Sequence, residues 1–282
     1  ITDLKGNRLI GFGRYAGLVG AYNGFRLLGK KHQSFDLPKV EDLPDLNAVL
    51  MQLDAITIPK LKIVLTGSGK VARGAREILE HLKIKEVSVE DYLSKTYQEP
   101  VFTNAKVNDY NKRIDGKQNN ISEFFKDPTP YKSDFMKFAK VSDVFIAGHF
   151  YGKNAPFLFT REDAKQPDFN IKIVADISCD IDGPVASTIR PSTIDNPFYG
   201  YDPEKEKEVD FKNEKAISVM AVDNLPCELP KDASEGFGEM FAKHVIPAFF
   251  NDDNDGILER SLITHNGKLT KSFSYLQDFV DH

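Results

Sequence analysis

One segment of the 282-residue sequence constrains the fold more than any other, because a short apolar run, a glycine-rich turn and an amphipathic helix follow one another without interruption. The apolar run, Lys62–Thr66, is predicted to be a buried β-strand. The turn occupies residues 67–74 and opens a helix that runs to about Leu82, with apolar residues at helical spacing. Further apolar runs alternate with helical segments along the chain. This alternation is typical of a doubly wound, mostly parallel α/β sheet.

The glycine-rich turn has the features that a dinucleotide-binding site requires. Gly67 permits a tight turn, and Gly69 allows the backbone to approach a pyrophosphate. The N-terminus of the following helix adds unpaired N–H groups and a partial positive charge. An acidic residue about 20 positions on is expected to bind the adenosine ribose, and Glu90 and Asp91 follow a predicted second strand at residues 86–89. The alternative interpretation is a glycine turn that serves packing only.

Carboxylates follow two other predicted strands. Asp180 comes after an apolar run at residues 171–175, and Asp223 comes after a run at residues 217–222. Side chains at the carboxyl ends of parallel strands face the crevice where such sheets bind ligands. A solvated turn is the alternative interpretation of both segments. His149, which follows a strand predicted at Val144–Ala147, is interpreted as a buried wall residue in preference to a catalytic base.

Composition excludes several classes of function. The net charge is −5 and no stretch is rich in lysine or arginine, so no nucleic-acid partner is expected. Only two cysteines are present, Cys179 and Cys227, and no Cys/His cluster has the spacing of zinc ligands. This cysteine usage favours a cytoplasmic location. No apolar run approaches the roughly 18 residues that a membrane-spanning helix needs.

Several segments, taken together, resemble the saccharopine-forming dehydrogenases. The similarity is greatest to the lysine–ketoglutarate reductase domain, then to NAD-dependent saccharopine dehydrogenase, and more distant to alanine dehydrogenase. It extends from about Thr2 to Leu276 and includes the tail at residues 263–269. The segments are Phe12-Gly-Arg-Tyr-Ala-Gly17, Thr66-Gly-Ser-Gly-Lys-Val-Ala-Arg-Gly-Ala75, Ile173-Val-Ala-Asp-Ile-Ser178, Thr193-Ile-Asp-Asn-Pro-Phe198, Val222-Asp-Asn-Leu-Pro226 and Glu228-Leu-Pro-Lys-Asp-Ala-Ser-Glu235.

The resemblance implies an NAD(P)-dependent oxidoreductase acting on CH–NH donors. Lysine and 2-oxoglutarate condense, and NAD(P)H reduces the imine to saccharopine in a reversible reaction. Family members have two α/β domains, and the lysine and histidine used in acid–base work lie in an amino-terminal domain. We expect this sequence to lack that amino-terminal domain and to act together with it as a partner. Alone, the sequence is expected to be nearly inactive. A non-catalytic nucleotide-sensing module and an alanine-dehydrogenase-like enzyme with another amino-acid substrate are the alternatives.

The resemblance also assigns individual residues. Asp180 falls where alanine dehydrogenases have an active-site aspartate, and Asp223 matches a family aspartate close to the nicotinamide and substrate. Arg8 matches an arginine that in saccharopine dehydrogenases helps hold a substrate carboxylate. Glu90 matches the ribose-binding acid. An acid at this position favours NAD, because a carboxylate repels the 2′-phosphate of NADP. Lys95, however, is near enough in sequence to bind that phosphate. NAD and NADP therefore both stay open as the cofactor. The expected cofactor-binding residues are Gly67, Ser68, Gly69, Lys70, Val71, Glu90 and Gly148. No metal ligand is expected.

The predicted domain division has three parts. Residues 1–35 form an interdomain strand and connecting helix, and residues 36–226 form the Rossmann-type NAD(P)-binding domain with an insertion at about 97–139. Residues 227–282 form a carboxy-terminal helix and tail that pack back toward the amino-terminal domain. A small amino-acid or 2-oxo-acid substrate is expected, no membrane partner is expected, and self-association into a homo-oligomer is left open.

Overall fold

A computed structural model describes residues 1–281 and contains two compact units. The large unit is Gly13–Pro230, and the small unit combines Ile1–Phe12 with residues 231–281. The helix that starts at Gly13 therefore belongs with the sheet. The sequence-based division, with boundaries after residues 35 and 226, stays a prediction.

The large unit is built on an eight-stranded sheet with the strand order β2-β3-β1-β6-β7-β10-β8-β9. Two further strands, β4 and β5, pair with each other as a separate hairpin. The strands of this unit are β1 (Lys62–Thr66), β2 (Lys85–Glu86), β3 (Val101–Ala105), β4 (Asn111–Arg113), β5 (Tyr131–Ser133), β6 (Val144–Ala147), β7 (Ile173–Asp176), β8 (Phe198–Asp202), β9 (Lys207–Val209) and β10 (Ile217–Met220).

Six neighbouring strands, from β2 to β10 in the spatial order, run parallel, whereas β8 pairs antiparallel with both β10 and β9. Thr66 at the end of β1 pairs with Ala105 of β3 and Ala147 of β6, and Ala147 pairs in turn with Asp176 of β7. These four strands therefore end together. We call the line along which they end the carboxyl edge of the sheet. The predicted fold class, a doubly wound and mostly parallel α/β sheet flanked by helices, is confirmed.

Eleven helices occur in the described residues, and none of these segments is both long enough and apolar enough to cross a bilayer. Four short 3₁₀ segments lie at Val40–Asp42, Leu225–Glu228, Ile246–Phe249 and Lys271–Leu276. The α-helices are α1 (Gly13–His32), α2 (Leu46–Asp54), α3 (Lys70–His81), α4 (Val89–Ser94), α5 (Val107–Tyr110), α6 (Ile121–Lys126), α7 (Met136–Ala139), α8 (Arg161–Ala164), α9 (Pro230–His244), α10 (Ile257–Ser261) and α11 (Gln277–Val280).

Helix α1 packs directly against α3, the helix that follows the glycine-rich turn. A Cβ added to Gly17 would collide with the Val71 carbonyl oxygen of α3, and one added to Gly74 would collide with the Arg14 carbonyl oxygen of α1. Several glycines within one helix allow close backbone approach to another element, and Gly17 and Gly74 lie at such an approach. Their helix-weakening cost of about 1 kcal/mol each is offset by this packing.

A buried polar group also joins α1 to the segment after β10. Glu228 is buried, and the Asn23 side-chain amide donates to both of its carboxylate oxygens, at 2.9 and 3.1 Å. The Arg26 guanidinium donates to the Asn23 side-chain oxygen at 3.3 Å. Burial raises the pKa of Glu228 to about 7, against the lowering effect of Asn23 and Arg26.

The second strand differs from its prediction. The sequence pattern predicts a strand at residues 86–89, but β2 ends at Glu86 and Val89 begins α4. The Ser88 side chain accepts a hydrogen bond from the Asp91 N–H at 3.1 Å and so caps this helix. Serine is among the best N-cap residues, and this local signal ends the strand early.

The predicted insertion at residues 97–139 contributes to the main sheet. Its first part forms β3, which lies between β2 and β1. The rest contains the paired strands β4 and β5 and three short helices, α5, α6 and α7. The segment is therefore only partly an insertion.

In the small unit, the chain start forms an isolated antiparallel bridge between Thr2 and Arg8. Helix α9 stacks the Phe237 ring on that of Phe12, with ring centroids 4.8 Å apart. In α9, Phe237 and Phe241 are half-buried, and Val245, just beyond the helix, is buried. The unit also contains α10, α11 and a two-stranded hairpin, β11 (Thr264–His265) and β12 (Lys268–Leu269).

Candidate functional site

The glycine-rich turn lies at the carboxyl edge, where three residues, Gly67, Ser68 and Gly69, join β1 to α3. The Gly67 N–H donates to the Ala105 carbonyl of β3 at 3.0 Å. The Asn104 side-chain amide donates to the Gly67 carbonyl at 2.8 Å. The turn is thus anchored to β3 by both backbone and side chain. Sequence reasoning missed Asn104, because it lies in a polar segment that was expected to be an insertion.

The two glycines of this turn have different surroundings. Gly67 has a φ of +101°, and a Cβ there would lie 2.5 Å from the Gly148 carbonyl oxygen, so the fold itself requires glycine. Gly69 has a φ of −79°, which any residue adopts, and a Cβ there would meet no atom within 4 Å. Packing therefore does not account for Gly69. The open space beside it is what a closely approaching ligand needs.

The N-terminus of α3 opens at Gly69 and has the character of an anion site. Among the described residues, no side chain caps this 12-residue helix, and its first turn contains no acidic residue. Its first N–H groups and the positive end of its dipole are therefore available to a phosphate. Of the other predicted turn residues, Ser68 is exposed, and Lys70 and Val71 are half-buried. The residues present fit a pyrophosphate.

Gly148 and His149 follow β6, on the opposite side of β1 from β3. A Cβ at Gly148 would lie 3.1 Å from both Ala72 Cα and the Thr66 carbonyl oxygen, so close packing explains this glycine, and its predicted cofactor contact stays a prediction. His149 Nδ1 lies 2.9 Å from Thr66 Oγ1. Burial lowers the pKa of His149 to about 4, which keeps the imidazole neutral. His149 is a buried wall residue, as the sequence indicated.

Asp176, the last residue of β7, organises the acidic loop that follows it. Its buried carboxylate accepts hydrogen bonds from the Ser178 N–H and Oγ–H, the Cys179 N–H and the Thr188 Oγ–H, at 2.6–3.1 Å. Burial raises the pKa of Asp176 despite these donors. Sequence reasoning missed this role of Asp176. The signal it passed over is the serine two residues on, the pattern of an Asx turn.

The structure places Asp180 and Asp223 after β7 and β10, which are paired neighbours in the sheet. Asp180 is half-buried and Asp223 is exposed. The Cys179 thiol donates to the Ala221 carbonyl at 3.0 Å and so links the two loops. Burial raises the pKa of Cys179 to about 12, and the charges of Asp176, Asp223 and Asp180 add to the shift. Both predicted aspartates therefore lie within electrostatic range of one thiol at the carboxyl edge.

Burial, and secondly the negative charge of Asp176, also raises the pKa of Asp180. A half-buried carboxylate with a raised pKa at the carboxyl ends of parallel strands is typical of functional positions.

The strand placement expected for Glu90 and Asp91 is wrong. Both residues lie in α4, beyond the end of β2, and β3 separates β2 from β1. β2 pairs only with the first two residues of β3, so it stops well short of the carboxyl edge. The role of Glu90 in binding a ribose stays a prediction without its expected structural basis.

Arg8 lies in the small unit, where its side chain is exposed. Its role in holding a substrate carboxylate stays a prediction. Over residues 1–281, no group of three or more His, Cys, Asp or Glu side chains is arranged to hold a metal ion.

Comparison with known proteins supports the resemblance noted from the sequence motifs. No family model matches the sequence. The mitochondrial alpha-aminoadipic semialdehyde synthase of Mus musculus is 27% identical over 98% of this chain and 35% of its own length. The alpha-aminoadipic semialdehyde synthase of Arabidopsis thaliana is 24% identical over 98% of this chain and 30% of its own length. The chain thus spans about a third of these relatives.

A saccharopine dehydrogenase (NAD(+), L-lysine-forming) of Candida glabrata is 26% identical over 88% of this chain and 62% of its own length. A solved L-alanine dehydrogenase aligns with a TM-score of 0.51 over 96% of this chain and 63% of its own, at 15% identity, and this likeness concerns the fold alone. The predicted resemblance to the saccharopine dehydrogenase group is confirmed.

Proposed function

We propose that this chain is the NAD(P)-binding part of an enzyme that forms or cleaves saccharopine. The observation that carries the proposal is Gly69, a glycine that the fold does not need and that lies directly before the uncapped N-terminus of α3. Similarity over 98% of the chain to enzymes named alpha-aminoadipic semialdehyde synthase supports this choice of reaction.

The reaction joins the ε-amine of lysine to the ketone carbon of 2-oxoglutarate with loss of water, and the reverse reaction releases lysine. The nicotinamide cofactor supplies a hydride to the carbon of the resulting imine, or accepts it in the reverse direction. The work of this chain is to bind and orient the dinucleotide and to provide one wall of the substrate cleft.

The turn binds the pyrophosphate in this proposal. The first N–H groups of α3 donate to phosphate oxygens, and the absence of a side chain at Gly69 lets those oxygens approach the backbone. Hydrogen bonds from Gly67 and Asn104 hold the turn against β3, so little reorganisation is needed on binding.

Asp180 and Asp223 serve the reacting end of the cleft. Asp223 stabilises the positive charge that an iminium or nicotinamidium carries, and Asp180 orients the nicotinamide ribose or a substrate amine. Fixed carboxylates are effective at this because they need no rearrangement as charge develops. The hydrogen bonds to Asp176 and from Cys179 hold both loops at the carboxyl edge and so support this assignment.

The location of the protein is a separate matter. The word mitochondrial in the name of the mouse relative applies to that protein, and the cytoplasmic location expected from cysteine usage stays a prediction.

Calorimetric titration of the 282-residue chain with NADH and NADPH tests the proposal. We expect binding of at least one dinucleotide, and Gly69→Val should weaken it by about tenfold or more, the scale of one lost charge-assisted hydrogen bond. Gly238→Val is the matched control, because a Cβ at Gly238 also meets no atom within 4 Å. No binding at millimolar dinucleotide, or equal binding by the two valine variants, would contradict the proposal.

The reaction class needs a second assay on the complete protein that contains this chain. Oxidation of NAD(P)H that requires both lysine and 2-oxoglutarate supports the saccharopine assignment. Tight dinucleotide binding without such turnover would favour a nucleotide-sensing module instead. The isolated chain should show little turnover, because the general acid and base of the family lie in another domain.

A further inference from the structure

The strand order decides which residue faces the adenosine ribose. In doubly wound dinucleotide-binding sheets, the ribose next to the adenine is bound from the carboxyl end of the strand beside the first strand. Here the strand beside β1 is β3, although β2 comes first along the chain. The residue that follows β3 is Lys106.

Lys106 lies one strand spacing, about 4.8 Å, from the glycine-rich turn. Ala105, the residue before it, pairs with Thr66 and accepts the Gly67 N–H at 3.0 Å. The Lys106 side chain is exposed and forms no salt bridge with any residue that the structure describes. A flexible four-carbon stem carrying three donors is well suited to a phosphate that projects from the ribose.

The carboxylate closest in sequence is already engaged. Asp109 Oδ2 accepts a hydrogen bond from the Lys106 backbone N–H at 2.7 Å, which closes the first turn of α5. The other lysine considered for this role, Lys95, follows α4, and its backbone carbonyl accepts a hydrogen bond from the Lys62 ammonium at 3.2 Å, at the start of β1 and so at the opposite end of that strand from the turn. The Lys95 ammonium forms a salt bridge with Asp91 at 2.9 Å.

We propose that Lys106 binds the 2′-phosphate of the adenosine ribose, and that the chain is therefore specific for NADP(H). This inference rests on the proposed function, because it needs the pyrophosphate on the glycine-rich turn. Lys106 is the specificity-determining residue, and Glu90 has no part in choosing the cofactor.

The test is the ratio of the dissociation constants for NADH and NADPH, measured by calorimetry on the wild-type chain and three variants. Wild type should bind NADPH at least about tenfold more tightly. Lys106→Gln should weaken NADPH binding about tenfold and leave NADH binding unchanged. Lys106→Glu should reverse the preference, because its carboxylate repels the 2′-phosphate and accepts a ribose hydroxyl. Lys95→Gln is the control with the same loss of charge and should bind as wild type does.

Three outcomes would overturn the inference while leaving the proposed function intact: a wild-type preference for NADH, equal affinity for both dinucleotides, or equal weakening of both by Lys106→Gln. Absence of all dinucleotide binding would refute the proposed function and this inference with it. Melting curves of the variants, which should match wild type at this exposed position, show that each variant is folded.

Discussion

Replacing Gly67 with alanine should destabilise the large unit even when no ligand is present. The new Cβ would lie 2.5 Å from the Gly148 carbonyl oxygen and 2.9 Å from His149 Cα. Both neighbours are backbone atoms, so neither relieves the contact by rotating a side chain. The positive φ adds strain, because only glycine adopts it readily. Backbone strain and overpacking each cost about 1–3 kcal/mol, or about 2–6 kcal/mol together.

The matched change at Gly69 should behave differently. A Cβ at that position meets nothing, and its φ of −79° suits alanine, so Gly69→Ala should change the free energy of unfolding by less than about 1 kcal/mol. In a unit of this size, 1 kcal/mol corresponds to roughly 2–4 °C in Tm. Gly67→Ala should therefore melt roughly 5–20 °C early, and Gly69→Ala within roughly 4 °C of wild type.

Circular dichroism melting of both variants without dinucleotide measures these shifts. Urea denaturation supplies the free energies for a quantitative comparison. The reasoning is refuted if Gly67→Ala melts with wild type, or if Gly69→Ala melts as early as Gly67→Ala. In either case the structure would not separate the glycine that the fold needs from the glycine that a ligand needs.

Two further predictions concern carboxylates. In the complete protein, Asp180→Asn and Asp223→Asn should lower turnover or cofactor affinity about tenfold or more with little change in Tm, whereas Asp176→Asn should mainly lower Tm. If the Asp180 and Asp223 variants instead show normal kinetics and a lower Tm, these two carboxylates are structural. The pKa of Glu228 is raised to about 7 from 4.5, so its protonated form favours the folded state, and the unfolding free energy should fall by up to about 3 kcal/mol as pH rises from 4.5 to 7. Urea denaturation across this range checks the slope, which Glu228→Gln should remove; an equal slope in that variant would contradict the buried-carboxylate account.

The elements that the sequence predicted well are those specified by local pattern. β1 has the predicted bounds, and α3 ends within a residue of its expected end, because a five-residue apolar run and a regular helical stripe are both local signals. The close packing of α1 on α3 was also predictable, since several glycines inside one helix have few other uses. Asp180 and Asp223 could be placed at the carboxyl edge for the same reason, as each comes in the loop that follows a buried strand.

The strand order could not be predicted in the same way. β2 has two residues, and β3 contains a threonine and an asparagine inside a polar segment, so neither has a strong pattern of its own. Which of them lies beside β1 depends on pairing between residues about 40 positions apart, such as Thr66 with Ala105. No local propensity encodes that choice, because it is made by burial of the whole strand against its neighbours.

The strand order reverses the sign of the charge expected at the ribose. A rule based on spacing along the chain selects Glu90, about 20 residues after the turn, whereas the spatial rule selects the residue that follows the strand beside β1. In an ordinary strand order the two rules choose the same residue. With β3 between them, β2 lies two strand spacings, about 10 Å, from β1 instead of one, and Lys106 takes the place that the spacing rule gives to Glu90. An acid and a lysine at this position favour opposite cofactors, since a carboxylate repels a 2′-phosphate and an ammonium attracts it. A preference for NADPH that depends on Lys106 would therefore show that the site follows the strand order and not the distance along the chain.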